Sequence, residues 1–268
     1  MNSSKIEDFS AAGTSIWRGG VWVPDAAGST VAARWAGAAP RIDIVIPVLD
    51  EEQSIGRVIG DIPREMIRQI VVVDNGSRDS TAEVARAAGA VVIAEPQRGY
   101  GAACLTGLRH IAADPPEIVV FLDGDYSDHP EELPRVVAPI LKGGVDLVIG
   151  SRILGESEPG ALLPQAIFGN WLACTLMSLL FGYQFSDLGP FRAIRWESLE
   201  ACEMRDEDFG WTVEMQIRAA KLGLSACEVP VSYRKRIGVS KVSGTVMGSV
   251  RAGHKILDTI FRQYFVAS

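Results

Sequence analysis

The stretch Ile118-Val119-Val120-Phe121-Leu122-Asp123-Gly124-Asp125 places two carboxylates directly after an unbroken apolar run. A short run of β-branched and aromatic residues is typical of a strand that is buried on both faces, as in a parallel sheet. We therefore predict a strand over residues 118–123, which brings both acids to its carboxyl end. Open parallel sheets keep their ligand crevices at that edge. Because Asp and Gly are also ordinary turn residues, a simple turn is the alternative interpretation of this stretch taken alone.

Further apolar segments have the length and composition of strands, at residues 42–48, 69–74, 90–94 and 145–149. Helical segments lie between them, among them 81–88 and 102–111. Such alternation is typical of a parallel sheet with crossover helices, so we predict a single α/β domain with a mostly parallel, Rossmann-like sheet flanked by helices. We place this domain at residues 41–243. Residues 1–40, which are rich in Ala, Gly and Ser, are expected to be a partly ordered appendage, and 244–268 a C-terminal helix.

The composition excludes several classes of protein. At 268 residues, 47% of them hydrophobic, the chain can bury one substantial core. A formal net charge of −7 argues against nucleic acid as a partner. The four cysteines and three histidines lack the paired spacing of a zinc site or of a disulfide framework. The chain starts without the pattern of a secretory signal. We therefore expect a cytoplasmic protein.

Two segments in the second half are strongly apolar. The stretch 167–183 contains Asn170 and is shorter than the roughly 20 residues of a membrane-spanning helix. We interpret it as a helix packed in the core or in a homodimer, with contact to a membrane surface as the alternative. The helix at 246–265 has a broad apolar face and leaves the same choice between docking, dimer formation and peripheral membrane contact.

Two other predicted strands also end in polar residues. Pro47-Val48-Leu49-Asp50-Glu51-Glu52 closes the first, and Asp74-Asn75-Gly76-Ser77 closes the second. Since the carboxyl ends of parallel strands meet at one edge of a sheet, these groups and Asp123-Gly124-Asp125 should line a single crevice. Carboxylate oxygens at this spacing suit Mg²⁺ or Mn²⁺ held jointly with the phosphates of a substrate.

These stretches resemble the motifs of inverting family 2 glycosyltransferases with the GT-A fold. Residues 47–52 are similar to the Pro-x-x-Asn-Glu opening of that family, 74–81 to its Asp-Asp-x-Ser-x-Asp-x-Thr turn, and 123–125 to its metal-binding Asp-x-Asp. The resemblance covers about residues 41–250. Through Gly150-Ser151-Arg152 and Ser240-Lys241 it is closest to the branch of dolichyl-phosphate mannosyltransferases and polyprenyl-phosphate glucosyltransferases.

The resemblance implies a nucleotide-sugar site, with uridine as the base in most relatives. Asp125 would be the direct metal ligand, and Asp123 would contact metal-bound water or the sugar. Gly99, in the glycine-rich start of a helix, would let backbone amides approach an anion or a base. Arg152 and Lys241 would screen the departing diphosphate. The remaining residues implied to border the nucleotide are Pro47, Leu49, Glu51, Asp74, Asn75 and Gly124.

Two positions depart from the family pattern. Ser127 stands where the dolichyl-phosphate enzymes carry a glutamine or a similar ligand, so water or Asp128 would have to complete the metal shell. Asp50 replaces the asparagine of the opening motif, which leaves its role open.

Candidate bases lie in the segments that resemble the acceptor side. A hydroxyl acceptor must lose its proton as it attacks, whereas a phosphate acceptor is already ionised and needs no base. Glu214 and Asp208 are the first candidates, and Asp187 follows them. Arg218 stands four residues after Glu214, so that this acid could instead form an ordinary helix ion pair. The stripe of Trp211, Met215 and Ala219 is predicted to be core.

The sequence thus predicts a metal-dependent, inverting glycosyltransferase that moves a sugar from a nucleotide sugar, in most relatives a UDP-sugar, to a small-molecule or carrier-bound acceptor. One alternative is a polyprenyl-phosphate sugar transferase at the inner membrane face. Another is a nucleotidyltransferase, although residues 47–52 lack the glycine-rich basic loop that such enzymes carry after the first strand. A non-catalytic binder of sugar nucleotides is the third.

Overall fold

The computed structural model describes residues 15–18, 21–24, 40–238 and 246–265. Within these ranges the strands are β1 (Ser15–Arg18), β2 (Val21–Pro24), β3 (Ile42–Val48), β4 (Gln69–Asp74), β5 (Val91–Ala94), β6 (Ile118–Phe121), β7 (Leu147–Ser151), β8 (Arg192–Arg195) and β9 (Ala226–Pro230). The α-helices are α1 (Ile55–Asp61), α2 (Thr81–Ala87), α3 (Tyr100–Ile111), α4 (Leu133–Leu141), α5 (Pro164–Phe181), α6 (Trp196–Cys202), α7 (Trp211–Lys221) and α8 (Val246–Phe265).

The strands form one sheet in the order β2-β1-β9-β7-β8-β6-β3-β4-β5. Strands β3 to β6 run parallel to their neighbours among themselves, and β7 runs parallel to β9. Strand β8 lies between β6 and β7 and is antiparallel to both. The hairpin of β1 and β2 extends the sheet beyond β9. This is the predicted mostly parallel α/β sheet, which is therefore confirmed.

Side chains of the central strands alternate between two apolar layers, one on each face of the sheet. Ile44 and Ile46 of β3 pack in the layer that contains α1, α2 and α4. Val45 points the other way, into the layer with α3, α6 and α7. Asp43 is the polar exception among the first residues of β3, and its buried carboxylate is paired with Arg68 at 2.5 Å. Both faces are therefore covered, which leaves the strand ends for a site.

The predicted strands 42–48 and 69–74 coincide with β3 and β4. The strands predicted at 90–94, 118–123 and 145–149 are present with ends shifted by one or two residues. Strands β8 and β9 were not predicted. Part of the proposed appendage, β1, pairs with β9 between Ile16 and Cys227. The rest of 1–40 lies mostly outside the described residues.

Helix α5 is apolar around its whole circumference but is mostly exposed. Among its residues only Ala173, Cys174 and Met177 are buried. Phe168, Trp171 and Leu179 are 61%, 57% and 76% exposed. In the described part of the chain, α5 is the one helix whose length and composition would suffice to cross a membrane, and 17% of it is buried. The helix packs against α7 and α8, so its outer face lacks a partner among the described residues.

Candidate active site

A cavity of about 510 Å³ opens at the carboxyl ends of β3, β4 and β6. Its size is that of an ordinary small-ligand site. The structure brings together there most of the residues that the sequence singled out: Pro47, Leu49, Glu51, Asn75, Gly99, Asp123, Gly124, Asp125 and Asp208. Later segments of the chain also contribute, through Phe209, Tyr233, Arg236 and Arg251.

The first two motifs hold each other in place. Asp50 adopts a left-handed backbone conformation with φ of 52°. Its backbone N–H donates to Ser77 Oγ at 2.9 Å, and its carboxylate accepts from Arg78 N–H at 2.7 Å. Glu51 N–H donates to Thr81 Oγ1 at 2.7 Å. Asp50 therefore has a structural role, which sequence reasoning left open: it ties the loop after β3 to the turn after β4.

Asn75 organises the other wall of the cavity. Its side-chain amide donates to the carbonyls of Glu95 and Gln97, at 3.0 and 2.6 Å, and its Oδ1 accepts from Gly99 N–H at 2.9 Å. All three bonds connect β4 to the loop that leads into α3. Asp74 does not line the cavity. Its carboxylate accepts from the Ser77 N–H within its own turn, at 3.0 Å.

The glycines at the start of α3 allow a distant loop to approach. A Cβ on Gly99 would lie 2.0 Å from the carbonyl oxygen of Glu207, and one on Gly101 would lie 1.9 Å from that of Asp206. Gly99 also has φ of 148°, which side-chain-bearing residues rarely adopt. The amide of Ala102 donates to the Glu207 carbonyl at 2.9 Å. This contact sets Asp208 and Phe209 against the cavity.

Glu214 fixes the 205–210 loop through hydrogen bonds to its backbone. Its Oε2 accepts from the backbone N–H groups of Arg205 and Asp206, at 3.0 and 2.7 Å. Its Oε1 accepts from Arg218 Nε at 2.8 Å. The side chain is buried and does not line the main cavity. These contacts favour a positioning role for Glu214, and among the candidate bases Asp208 is the one on the cavity wall.

Asp123 and Asp125 form the acidic part of the cavity. Tyr100 Oη donates to Asp123 Oδ1 at 3.1 Å. Loss of hydration, together with the negative charge of Asp125, raises the pKa of Asp123 to about 6, although the nearby Arg236 opposes the shift. Gly124 between them has no room for a side chain, because a Cβ would lie 2.6 Å from Val48 Cγ1. The turn therefore brings two carboxylates close together at the end of β6.

Asp125 is surrounded by donors. Its Oδ1 accepts from Ser127 N–H at 2.9 Å and from Ser127 Oγ at 2.5 Å. Its Oδ2 pairs with the guanidinium of Arg236. The hydroxyl of Ser127 thus donates to Asp125 and orients that carboxylate.

Asp128 completes a cluster of three acids. Both of its carboxylate oxygens are buried, and neither accepts a hydrogen bond of ordinary geometry. Burial, followed by the charges of Asp123 and Asp125, raises the pKa of Asp128 well above its usual range. A buried carboxyl group without a partner is costly when it is charged, so the cluster favours a cation nearby.

The donor set fits a divalent ion that is shared with a substrate. In the described ranges, no group of three or more His, Cys, Asp or Glu side chains is arranged to enclose a metal. Asp123 and Asp125 can offer oxygen ligands, and Mg²⁺ or Mn²⁺ commonly takes the rest from phosphates and water. These two acids are thus the residues that could hold the metal.

Arg152 and Asp187 form a buried pair away from the cavity wall. Arg152 donates to Asp187 from Nε, Nη2 and its backbone N–H, at 2.8, 2.7 and 2.8 Å. The adjoining turn is held by Glu228, whose Oε1 accepts from the Asp187 N–H at 3.1 Å. Burial raises the pKa of Glu228 to about 7. These contacts favour structural roles for Arg152 and Asp187, and their roles in screening and as a base stay predictions. Lys241 lies outside the described residues.

Sequence reasoning gave no role to several cavity residues. Arg98 and Tyr100 lie in the glycine-rich helix start, and Arg236 lies in the basic run 234–241, so a local signal existed for these three. Phe209 and Tyr233 come from loops that precede α7 and follow β9, and Arg251 comes from α8. For these residues, only the tertiary fold reveals the position.

The family model for glycosyl transferase family 2 matches residues 43–199, more than half of the chain. The protein belongs to glycosyl transferase family 2. The matched segment contains the interlocked motifs at 47–52 and 74–81 and the acids at 123–125. The enzyme class expected from the sequence, a glycosyltransferase of the hexosyltransferase type, is thereby confirmed.

Relatives within this family are similar over most of their length. An uncharacterized glycosyltransferase of Mycobacterium tuberculosis is 38% identical over 224 residues, which cover 82% of this chain and 97% of the relative. A dolichyl-phosphate hexose transferase of Haloferax volcanii is 37% identical over 202 residues, covering 74% and 85%. This similarity supports the predicted branch.

A solved structure is similar in fold. Glucosyl-3-phosphoglycerate synthase from Mycobacterium tuberculosis, in complex with Mn²⁺, UDP-glucose and phosphoglyceric acid, superimposes with a TM-score of 0.69 at 25% identity. The match covers 90% of this chain and 86% of that one. The crevice at the carboxyl ends of the strands thus belongs to a fold that binds a sugar nucleotide in this neighbour.

Proposed function

We propose that this family 2 glycosyltransferase transfers a hexosyl group from a UDP-sugar to a phosphate-bearing acceptor, with the help of Mg²⁺ or Mn²⁺. One observation carries the proposal. A single cavity has the acids Asp123 and Asp125 at the end of β6 and three guanidinium groups, those of Arg98, Arg236 and Arg251, among its lining residues. Acids that gather a cation and arginines that bind phosphate are what two anionic substrates require.

The donor half rests on the wall formed by β3, β4 and the start of α3. Pro47, Leu49 and Glu51 would border the nucleoside, and Asn75 would shape that wall through its bonds to the 95–99 loop. The neighbour that binds UDP-glucose and Mn²⁺ supports a uridine nucleotide here. Asp123 and Asp125 would hold the metal, and the metal would supply positive charge that stabilises the leaving UDP.

The transfer itself needs few groups from the protein. An acceptor phosphate oxygen would form a bond to the anomeric carbon as the bond from that carbon to the UDP oxygen breaks, and UDP would leave with the electron pair. In one displacement this inverts the anomeric centre, as the resemblance to inverting enzymes implies. The guanidinium of Arg251, which makes no ion pair among the described residues, is positioned to bind an anionic acceptor at the cavity.

The exposed face of α5 favours a polyprenyl phosphate as that acceptor. A helix with large exposed apolar side chains and without a charged residue can lie at a membrane surface. The dolichyl-phosphate hexose transferase of Haloferax volcanii supports a lipid acceptor, while the glucosyl-3-phosphoglycerate synthase complex supports a soluble one. Both acceptors carry a phosphate.

A small-molecule hydroxyl acceptor is the second candidate. It is favoured by Asp208, which lines the cavity and whose carboxylate has no hydrogen-bond partner among the described side chains and backbone. Such a carboxylate could accept the proton of an attacking alcohol.

Transfer assays distinguish these acceptors. Radiolabelled UDP-glucose, UDP-galactose, UDP-N-acetylglucosamine and GDP-mannose are incubated with the protein and Mn²⁺, with and without chelator. The acceptors are undecaprenyl phosphate, in which a phosphate oxygen is the attacking atom, 3-phosphoglycerate, which offers both a phosphate and a hydroxyl, and a neutral alkyl glucoside, which offers hydroxyls alone. The bond formed in the 3-phosphoglycerate product is assigned by NMR. We expect chelator-sensitive transfer from a UDP-sugar to a phosphate acceptor, with an inverted anomeric centre by NMR. If no sugar nucleotide binds, or if Asp125→Asn keeps metal-dependent binding, the proposal fails.

A further inference from the structure

The basic loop after β9 is fastened to the acidic turn through its backbone. Arg234 N–H donates to the Ser127 carbonyl at 2.9 Å, and Ile237 N–H donates to the Asp125 carbonyl at 2.9 Å. The Arg234 side chain donates to the Tyr126 carbonyl at 2.7 Å, and its guanidinium carbon lies 3.3 Å from the centre of the Tyr126 ring. The backbone on both sides of Arg236 is therefore fixed, and its partly exposed side chain lines the cavity.

Arg236 and a metal ion compete for the same oxygen. Asp125 Oδ1 already accepts two hydrogen bonds from Ser127, and Oδ2 is covered by the guanidinium of Arg236. A divalent ion needs a bare oxygen at about 2.0–2.1 Å in the case of Mg²⁺. Oδ2 keeps a second lone pair, but a divalent ion bound there would lie within a few ångström of the Arg236 guanidinium. The two positive charges would repel each other at that distance, so the ion binds well only when the guanidinium moves away.

The surroundings make Arg236 the partner that moves. Its side chain is 31% exposed and lines the cavity, whereas the Asp125 side chain is 5% exposed and held by Ser127. Its Nε is buried and has no hydrogen-bond partner, so that the guanidinium is held by part of its donors only. Arg236 carries a single charge, whereas the turn at 123–125 presents two carboxylates to the cavity, a pair that a doubly charged ion would balance better.

We infer that Arg236 is the resident counter-ion of Asp125, and that it leaves this acid when a divalent cation binds and turns into the cavity to hold the diphosphate of the nucleotide. This inference rests on the proposed function. Arg236 would bind first Asp125 and then the diphosphate, while its backbone stays in place. It also makes the binding of metal and nucleotide cooperative, because the nucleotide stabilises the released guanidinium.

The test measures Mn²⁺ binding alone, by the electron paramagnetic resonance signal of free Mn²⁺, without turnover. In Arg236→Met the competitor is absent, so we expect Mn²⁺ without nucleotide to bind about tenfold more tightly than to the wild type, a difference of about 1.4 kcal/mol. Arg236→Lys keeps a charge with fewer donors and should lie between the two. Arg86→Met is the matched control, since Arg86 forms an exposed ion pair on α2 with Glu83.

The second measurement repeats the titration with UDP. In the wild type UDP should tighten Mn²⁺ binding, and in Arg236→Met this enhancement should shrink because the released arginine is missing. Equal or weaker binding of Mn²⁺ to Arg236→Met and to Arg236→Lys in the absence of UDP would overturn the inference. Circular dichroism establishes that each variant is folded. The proposed function fails separately, if UDP-sugars bind to none of these proteins or if Asp125→Asn leaves Mn²⁺ binding intact.

Discussion

The carbonyl oxygen of Glu207 lies 2.0 Å from the point at which a Cβ on Gly99 would stand. Two segments more than a hundred residues apart therefore meet at a spot where only glycine fits. The contact sets the 205–210 loop on the amino-terminal end of α3, and through it places Asp208 and Phe209 on the cavity wall. A substitution at Gly99 should therefore displace Asp208 and Phe209 on the cavity wall.

Gly99→Ala is expected to displace that loop. The methyl group collides with the backbone of Glu207, and φ of 148° adds strain of about 1–3 kcal/mol. We expect a lower melting temperature and at least tenfold weaker UDP binding by calorimetry. Gly60→Ala is the control, because nothing lies within 4 Å of a Cβ there and alanine is favoured in a helix. Equal UDP affinity for Gly99→Ala and Gly60→Ala would contradict this role.

Asp208→Asn separates the two classes of acceptor. With a phosphate acceptor the variant should keep kcat within about threefold, because an ionised oxygen needs no base. With a hydroxyl acceptor the loss should reach about 10² to 10⁴. The measurement is steady-state transfer with each acceptor. Glu214→Gln should instead lower stability, since Glu214 binds the amides of Arg205 and Asp206. A hundredfold loss in Asp208→Asn with a phosphate acceptor would contradict this prediction, because it would give Asp208 a role other than accepting a proton from a hydroxyl.

Asp123 should make both stability and metal binding depend on pH. Its pKa in the folded protein is about 6, above the ordinary value of 3.8. The folded state therefore binds this proton more tightly than the unfolded state, and the contribution of Asp123 to stability is lost as the pH rises through 6. Asp123→Asn, which stays neutral, should be more stable than the wild type by about 3 kcal/mol at pH 8 and nearly equal to it near pH 4. Urea unfolding at both pH values tests this. A constant difference would show that Asp123 does not titrate there.

Mn²⁺ binding to the wild type should show the opposite trend and weaken as the pH falls below 6, because the metal competes with the proton for Asp123.

Breaking the pair of Arg152 and Asp187 should be costly. Asp187→Asn leaves the buried guanidinium without its charged partner, and such losses typically amount to about 3–5 kcal/mol. Urea unfolding should show this difference, while UDP affinity of the folded fraction stays close to that of the wild type. The exposed pair of Arg86 and Glu83 offers a control, whose removal should cost less than about 1 kcal/mol. If UDP binding by folded Asp187→Asn were lost, Arg152 would belong to the nucleotide site after all.

The exposed face of α5 should bind membranes. Replacing Phe168 and Trp171 by Glu puts charges on side chains that are 61% and 57% exposed. We expect the double variant to lose most of its sedimentation with vesicles that contain undecaprenyl phosphate, and to keep transfer to a soluble acceptor. Leu222→Glu, at the exposed apolar residue that directly follows α7, is the control. Unchanged sedimentation would indicate that this face serves another partner.

Sequence reasoning located the elements whose signal is local. β3 and β4 are apolar runs bounded by polar residues, so their ends could be predicted to the residue. β8 was missed because Arg192 and Arg195 interrupt its apolar pattern. Their guanidinium groups are buried against backbone carbonyls of Gly189 and Val145, among others, and burial lowers the pKa of Arg192 to about 10. Partners of this kind come from distant segments and leave no pattern around the arginines.

The residues of the candidate site also fall into those with a local sequence signal and those that depend on distant contacts. Asp123 and Asp125 were found because they follow a strand directly, and the order of strands then sets them in the crevice. The sequence could not show that Arg152 pairs with Asp187, or that Glu214 accepts hydrogen bonds from backbone amides of the 205–210 loop. Both interactions depend on tertiary contacts. Arg251 was missed for the simple reason that nothing around it in α8 marks a site.

The position of β8 has a consequence for engineering. Strands β3 to β6 form a contiguous block of the chain and of the sheet, and the antiparallel β8 is the boundary between that block and the pair β7 and β9. A chimera that replaces the chain from α4 onward with that of another family member would keep the wall formed by β3, β4 and the start of α3. It would exchange the segments that carry Asp208, Phe209 and Arg236. The grafted 205–210 loop would have to pack closely against Gly99 and Gly101 at the start of α3, where a Cβ would meet the backbone of that loop. Both glycines should therefore be kept when acceptor specificity is redesigned.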